Sequence, residues 1–309
     1  MAIREILYPT DFSDPARYAG RYAAMFARRL GAALHILHVP ITPPPPADGA
    51  LVDPSPSDLQ KPRRRAEERL SQLVGDEEFR GLRTRTSVGG VIIEDEILRA
   101  AQGSDLLVMG THGRTGLSRI MLGSVTDRVV RTAPCPVLVA KHPDVVVELP
   151  WGGTLRGRRR IPGTPRLRNI LVPLDGSSLS ETVLQGVKEP ARAFEAVIHL
   201  LMVIAPPLTL SWLPGDDARP PDRPEAEDYV RTKQQELRAD GLMVEAAVQT
   251  GDAATQILEQ ADDRDADMIA LATHGRGGLR RWLLGSVVEK VLYVSDRPVL
   301  LSRAWKRST

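Results

Sequence analysis

The sequence predicts an α/β protein built from two copies of one parallel-sheet unit, and three observations carry that reading. The stretch Asp105-Leu-Leu-Val-Met-Gly-Thr-His-Gly-Arg-Thr-Gly-Leu-Ser-Arg-Ile-Met-Leu-Gly-Ser124 returns as Asp267-Met-Ile-Ala-Leu-Ala-Thr-His-Gly-Arg-Gly-Gly-Leu-Arg-Arg-Trp-Leu-Leu-Gly-Ser286. A unit repeated on this scale settles the architecture before any residue chemistry does. Short apolar runs such as 106–109 alternate with segments of helical period, as expected of strands covered by helices. Each copy then runs into a short apolar strand opened by proline, at 136–139 and 298–301. The expected order β-α-β-loop-α-β-α-β-α-β makes a parallel sheet with helices on both faces.

Residues 3–8 read as the first strand, stopped by Pro9. Ser13 caps a helix starting near Pro15, because proline is tolerated in a first turn. Ala16, Ala19, Ala23, Phe26, Ala27 and Leu30 share one face of it, and Gly31 ends it. Residues 33–39 are the second strand; His35 and His38 read as strand residues, since no third metal ligand lies nearby. Residues 41–62 carry prolines 43–46, Pro54, Pro56 and Pro62, so a loop with neither helix nor inner strand is expected. A charged helix over 63–74, a strand over 83–88 and a helix over 92–102 follow. After the 106–109 strand, Gly110, Gly113 and Gly116 permit backbone that a Cβ would penalise. Ser124 with Asp127, and Ser286 with Glu289, read as N-caps with capping boxes. A glycine loop facing a fresh helix N-terminus makes an anion cradle, because unpaired N–H groups and the helix dipole converge there.

Between the copies, Arg156, Arg158, Arg159, Arg160, Arg166 and Arg168 cluster without an acidic residue, which reads as a solvated linker. The second copy restarts with a strand at 169–172, the loop Pro173-Leu-Asp175, and Ser178 with Glu181 as a capping box. Pro190 is expected to kink or end the helix that follows. Residues 200–204 are a strand, 205–224 a proline-rich loop, and 229–238, 244–248, 255–261 and 268–271 complete the pattern.

The chain has 309 residues, 42% of them hydrophobic and 26% charged, enough for two domains with ordinary cores. A net charge of +2 is too balanced to argue for a specific nucleic-acid partner. The single cysteine, Cys135, stands between two prolines and reads as a packed thiol; no disulfide can form within the chain, which suits a reducing cytoplasm. The N-terminus lacks an apolar signal region and no apolar run approaches a membrane span. A soluble, cytoplasmic protein without a membrane partner is expected.

The spacing Gly-x2-Gly-x9-Gly-Ser, formed by Gly110, Gly113, Gly123 and Ser124, resembles the ATP-binding motif of the universal stress protein family. So do Tyr8-Pro-Thr-Asp11 and Val172-Pro-Leu-Asp175 at the start of each repeat. The resemblance covers nearly the whole chain. It implies two tandem Rossmann-like (adenine nucleotide alpha hydrolase-like) domains, 1–142 and 168–309, joined by the Arg/Gly/Pro-rich linker 143–167, each a five-stranded parallel sheet flanked by helices. The ligand it implies is ATP, or ADP or AMP, with magnesium held through the phosphates and no protein metal ligands.

By the same resemblance, Asp11 beside Pro9 and Thr10 meets the adenosine part, and the Val39 backbone lies near the base. Gly113, Gly123 and Ser124 hold the phosphates, with Gly110, His112, Arg114 and Val125 around them. In the second copy Pro173, Leu174, Asp175 and Val203 correspond to the first set, and His274, Gly275, Arg276, Gly285, Ser286 and Val287 to the second. Ala272 replaces Gly110, so the second site is expected to be weaker.

The function implied is stress response through a nucleotide-dependent conformational signal; a slow ATP hydrolase and a nucleotide-free interaction scaffold are the alternatives. No GxxxxGK[ST] loop is present, and His112 and His274 show neither a partner nor a placed nucleophile, so no catalytic residue is assigned. Family domains dimerise through the last strand. Tandem fusion would pair the two halves as an intramolecular pseudo-dimer, with a homodimer of chains as a further possibility.

Overall fold

The computed structural model describes residues 2–40, 56–111, 122–141, 147–148, 154–155, 165–205, 221–273 and 284–302, with backbone alone for 56–60, 147–148 and 154–155. The first unit runs β1 (Glu5–Pro9), α1 (Asp14–Leu30), β2 (Ala33–His38), α2 (Pro56–Gly75), β3 (Thr84–Val88), α3 (Ile93–Ala101), β4 (Leu106–Gly110), α4 (Ser124–Thr132) and β5 (Val137–Ala140), with a 3-10 turn at Glu77–Phe79. Two short strands, β6 (Val147–Glu148) and β7 (Thr154–Leu155), pair antiparallel inside the expected linker. The second unit repeats the first as β8 (Asn169–Leu174), α5 (Ser178–Phe194), β9 (Val197–Ile204), α6 (Arg223–Ala239), β10 (Met243–Thr250), α7 (Ala253–Asp263), β11 (Met268–Ala272), α8 (Ser286–Val294) and β12 (Val299–Ser302).

Within each unit five parallel strands lie in the order β5-β4-β1-β2-β3 or its counterpart β12-β11-β8-β9-β10. The two sheets meet edge to edge, because β5 and β12 pair antiparallel through Val139–Val299, Leu138–Leu300 and Val137–Leu301, giving one ten-stranded sheet. One face buries α1 and α5 side chains together with Leu138 and Leu300; the other buries α3, α4, α7 and α8 with Val137 and Val299. Side chains of a strand alternate between these two layers, so the near-continuous apolar runs seen in the sequence are what a doubly covered sheet demands.

The structure corrects several local expectations, each for a physical reason. Helix α2 begins at Pro56 and runs through Pro62, where a loop was expected. Its buried Ala66, Leu70 and Leu73 hold it to the sheet, and that burial outweighs the hydrogen bond lost at the proline. Helix α5 likewise runs through Pro190 and ends only at Glu195 in a left-handed conformation (φ 54°). Pro190 is itself buried among apolar neighbours. Pro224 lies in the first turn of α6, where Asp222 and Glu225 form a capping box the sequence reading did not use. Arg166, at the end of the linker, is exposed yet anchored: it pairs with the buried Asp267 at 3.0 Å and with Asp265 at 2.6 Å. Residues 41–55 and most of 142–164 lie outside the described part.

Candidate functional site

Strands β1 and β4 are parallel neighbours, so the loops leaving their carboxyl ends share one rim. That is the switch point of the sheet order, where open α/β folds bind ligands. The β1 loop is built tightly. Thr10 Oγ1 accepts from the Phe12 N–H (3.0 Å) and lies 3.2 Å from the Tyr8 hydroxyl, which donates its hydrogen to Ala16 O. Asp11 Oδ1 accepts from the Ser13 N–H (3.0 Å) and hydroxyl (2.6 Å), while Ser13 Oγ accepts from Ala16 N–H as the α1 cap. Asp175 makes the same pair of bonds to Ser177, at 2.9 and 2.6 Å. In both copies the aspartate is therefore a turn residue as well as a candidate ligand.

The loop also holds a residue the sequence reading missed. Phe12 adopts φ 64°, a left-handed conformation costly for an aromatic residue, where the second copy has Gly176 at φ 82°. Burial outweighs that cost: the Phe12 ring lies 4.6 Å from the His38 ring and 4.1 Å from the Arg69 guanidinium. His38 Nδ1 donates to the Thr10 carbonyl at 2.7 Å, tying β2 to the same loop. The presence of Gly at the matching position of the repeat was the available signal.

On the β4 side, Gly110 is the last strand residue and its φ is not positive. Glycine is required there for closeness: a Cβ would lie 2.8 Å from the Pro15 carbonyl oxygen and 3.0 Å from its carbon. It lets the start of α1 rest on the strand end. Thr126 Oγ1 donates to Gly110 O (2.9 Å), and the Gly123 N–H donates to Thr111 O (2.8 Å), fixing the N-terminus of α4 over that strand.

The expected capping boxes do not form at this helix pair. Gly123 and Gly285 are the N-caps, with no side-chain cap bond, and Ser124 and Ser286 are the first helical residues. Asp127 and Glu289 instead bind Arg131. The box expected at Ser178 is shifted too: Ser177 is the cap and accepts from Ser180 N–H. Glu181 is drawn away to the Tyr229 hydroxyl and Lys233.

Since Gly123 N–H already has an acceptor, the next N–H groups, of Ser124, Val125 and Thr126, are the helix donors without an intrahelical partner. Beside them Thr111 is 1% exposed, and its hydroxyl finds no partner among the described residues. A buried hydroxyl of this kind is costly to leave unmet. Pro9 closes β1, and Val39 is buried at the end of β2. In the second copy Pro173 and Leu174 end β8, Val203 lies in β9, and Val287 is in the first turn of α8. His112, Gly113, Arg114, Gly116, His274, Gly275 and Arg276 lie outside the described residues.

Besides Gly176, the second site differs at several described positions, among them Leu174 in place of Thr10, whose hydroxyl organises the first loop. Ala272 stands where the first copy has Gly110, and Val288 where it has Thr126, so the hydroxyl that pins the first helix to its strand is missing. The Gly285 N–H still donates to Thr273 O, at 3.1 Å.

Fold and site together define a tandem, doubly wound α/β protein with a helix N-terminus at each switch point. Comparison with known proteins makes the class specific. The universal stress protein family matches residues 2–141 and 166–303, and the chain belongs to that family. A universal stress protein of Mycolicibacterium smegmatis is 25% identical over 307 residues, covering 96% of both chains. One from Methanocaldococcus jannaschii is 34% identical over 154 residues, 45% of this chain and 83% of its own. The crystal structure of a universal stress protein from Archaeoglobus fulgidus aligns over 97% of this chain and 98% of its own with a TM-score of 0.72 at 20% identity. Among the described residues no group of His, Cys, Asp and Glu is arranged to hold a metal, and no helix is long and apolar enough to cross a membrane.

Proposed function

We propose that this universal stress protein binds an adenine nucleotide, ATP or its ADP or AMP relatives, in the first half, and that the second half binds it more weakly. The observation that carries the reading is the cradle at the start of α4. Three first-turn N–H groups and the buried Thr111 hydroxyl lie at the end of β4, beside the Asp11 loop of the neighbouring strand. Such donors suit phosphate oxygens, and the Asp11 carboxylate suits a ribose hydroxyl or base amine. Magnesium would be carried by the phosphates. Nucleotide-dependent ordering around this rim would be the signal in a stress response.

The domains are taken as 1–142 and 168–309, acting as an intramolecular pseudo-dimer through β5 and β12. The test is a thermal melt with and without ATP, each with and without magnesium. At one hundred times its dissociation constant the ligand stabilises the binding unit by about 2.7 kcal/mol. An unchanged melt at millimolar ATP overturns the proposal.

A further inference from the structure

On the α1/α5 face, over the junction of the two halves, lies a cavity of about 150 Å³ lined by none of the candidate nucleotide-binding residues, although Ser302 in its lining pairs with Ala272. Its floor is Leu106, Leu138, Leu300 and Ser302 of the central strands; Phe26 of α1 forms one wall and Gly186 and Pro190 of α5 another. Its origin is visible in the repeat. Ser13 caps α1 and Ser177 caps α5. Counting from these caps, Gly186 takes the position of Tyr22, Pro190 that of Phe26 and Thr182 that of Tyr18. The first copy thus fills its flank with rings that the second copy lacks. A side chain grown from Gly186 meets nothing nearer than 3.9 Å, the Leu300 and Ser302 side chains.

The lining is apolar with a few polar groups at separate points, Asp105, Thr182, Gln185 and Ser302. Asp105 Oδ2 accepts from the main-chain N–H groups of Arg4 (2.8 Å) and Glu5 (3.1 Å), and Oδ1 receives no hydrogen bond from any described residue. In the second copy the matching Asp267 has Arg166 as a partner at 3.0 Å. Thr182 spends its hydroxyl hydrogen on Leu179 O. Among these polar groups the Asp105 carboxyl offers an acceptor oxygen to an otherwise largely apolar chamber.

We propose that this cavity is a second binding site, for a compact molecule with one apolar ring and a hydrogen-bond donor at its edge. A dry cavity of roughly this size accepts a single benzene-sized ring. The Asp105 carboxylate selects for a donor and against a carboxylate on that ring. The occupant touches both halves at once, through Phe26 and Leu138 on one side and Gly186 and Leu300 on the other, so it would bias how the two units sit together.

The experiment is ligand-observed NMR titration of the full chain with phenol, anisole and benzoate. Phenol is expected to bind saturably in the millimolar range or tighter, and anisole and benzoate roughly tenfold more weakly, the cost of an unmet acceptor or a second carboxylate. Gly186→Val fills the chamber and should abolish phenol binding; Gly186→Ala, a smaller intrusion in the same helix, should weaken it and raise the melting temperature. ATP binding measured in parallel should be unchanged in both variants. Non-saturable phenol signals, phenol binding retained in a folded Gly186→Val protein, or equal affinity for phenol and benzoate would each overturn the proposal. None of these outcomes bears on the nucleotide site.

Discussion

At the scale of single residues, this chain uses burial to hold side chains in states they would not choose in water. Burial in the first unit, with Arg85 nearby, pushes the His35 imidazole down to about 4, even though its Nε2 lies 2.7 Å from Ser87 Oγ. Its Nδ1 is buried without a partner among the described residues. His199, the counterpart in β9, is shifted the same way, by burial first and then by Arg264. The sign follows from proton counting. Between pH 6.5 and about 4 the unfolded imidazole binds a proton and the folded one does not, so stability falls with pH across that window and levels off below it. At pH 5 the His35 share is about 2 kcal/mol. Urea unfolding of wild type and His35→Gln at pH 7 and pH 5 should show the smaller loss in the variant; parallel losses would refute the assignment. Burial similarly pushes the Cys135 thiol up to about 12, which keeps it an unreactive core group.

At the scale of elements, the two copies of one motif have been tuned differently. Helix α4 is pinned to β4 by Thr126, and α1 can approach that strand because Gly110 has no side chain. Helix α8 keeps only the Gly285 bond, and β11 ends in buried Ala272. The described difference between the two strand ends therefore lies in how closely helices can approach and be pinned there, not in backbone φ. Calorimetric titration of ATP into Gly113→Val and Gly275→Val should show the larger loss of bound nucleotide in the first variant. Equal loss from the two would count against an asymmetric pair. Phe12 and Gly176 belong to the same comparison, since one strained ring in the first loop is replaced by an unstrained glycine in the second.

At the scale of the molecule, the two sheets are joined by more than the β5–β12 ladder. Arg131 of α4 binds Asp127 on its own helix and reaches Glu289 of α8 at 2.8 Å. These hydrogen bonds, that to Asp127 foremost, hold the guanidinium firmly charged. On the opposite face Phe26 meets Phe194 with ring centroids 5.3 Å apart, Arg29 binds the Ala193 carbonyl, and the Ile3 N–H donates to Glu189 at 2.6 Å. Arg131→Ala leaves two carboxylates facing each other across the junction and should cost about 1 kcal/mol at low salt. Added salt should narrow that gap, because the lost term is largely electrostatic and partly exposed. A destabilisation insensitive to salt would mean that the arginine acts by packing its stem.

The sequence by itself determined the repeated unit, the strand-helix alternation and the family, because period, glycine spacing and the Asp11 and Asp175 turns are local patterns. Ser13 and Gly31 end α1 as their types dictate. Where the sequence pattern failed, a partner outside the local motif decided. Pro62 and Pro190 remain inside helices because the faces they interrupt are buried against the sheet. Glu181, Asp127 and Glu289 leave their expected capping boxes because Tyr229, Lys233 and Arg131 offer charged or buried partners. Gly110 is glycine because Pro15, far away in sequence, lies against it. The joined sheet and the cavity over its seam also belong to tertiary structure alone: they arise where two copies meet, and a repeat records its own pattern but not the shape of the space between its copies.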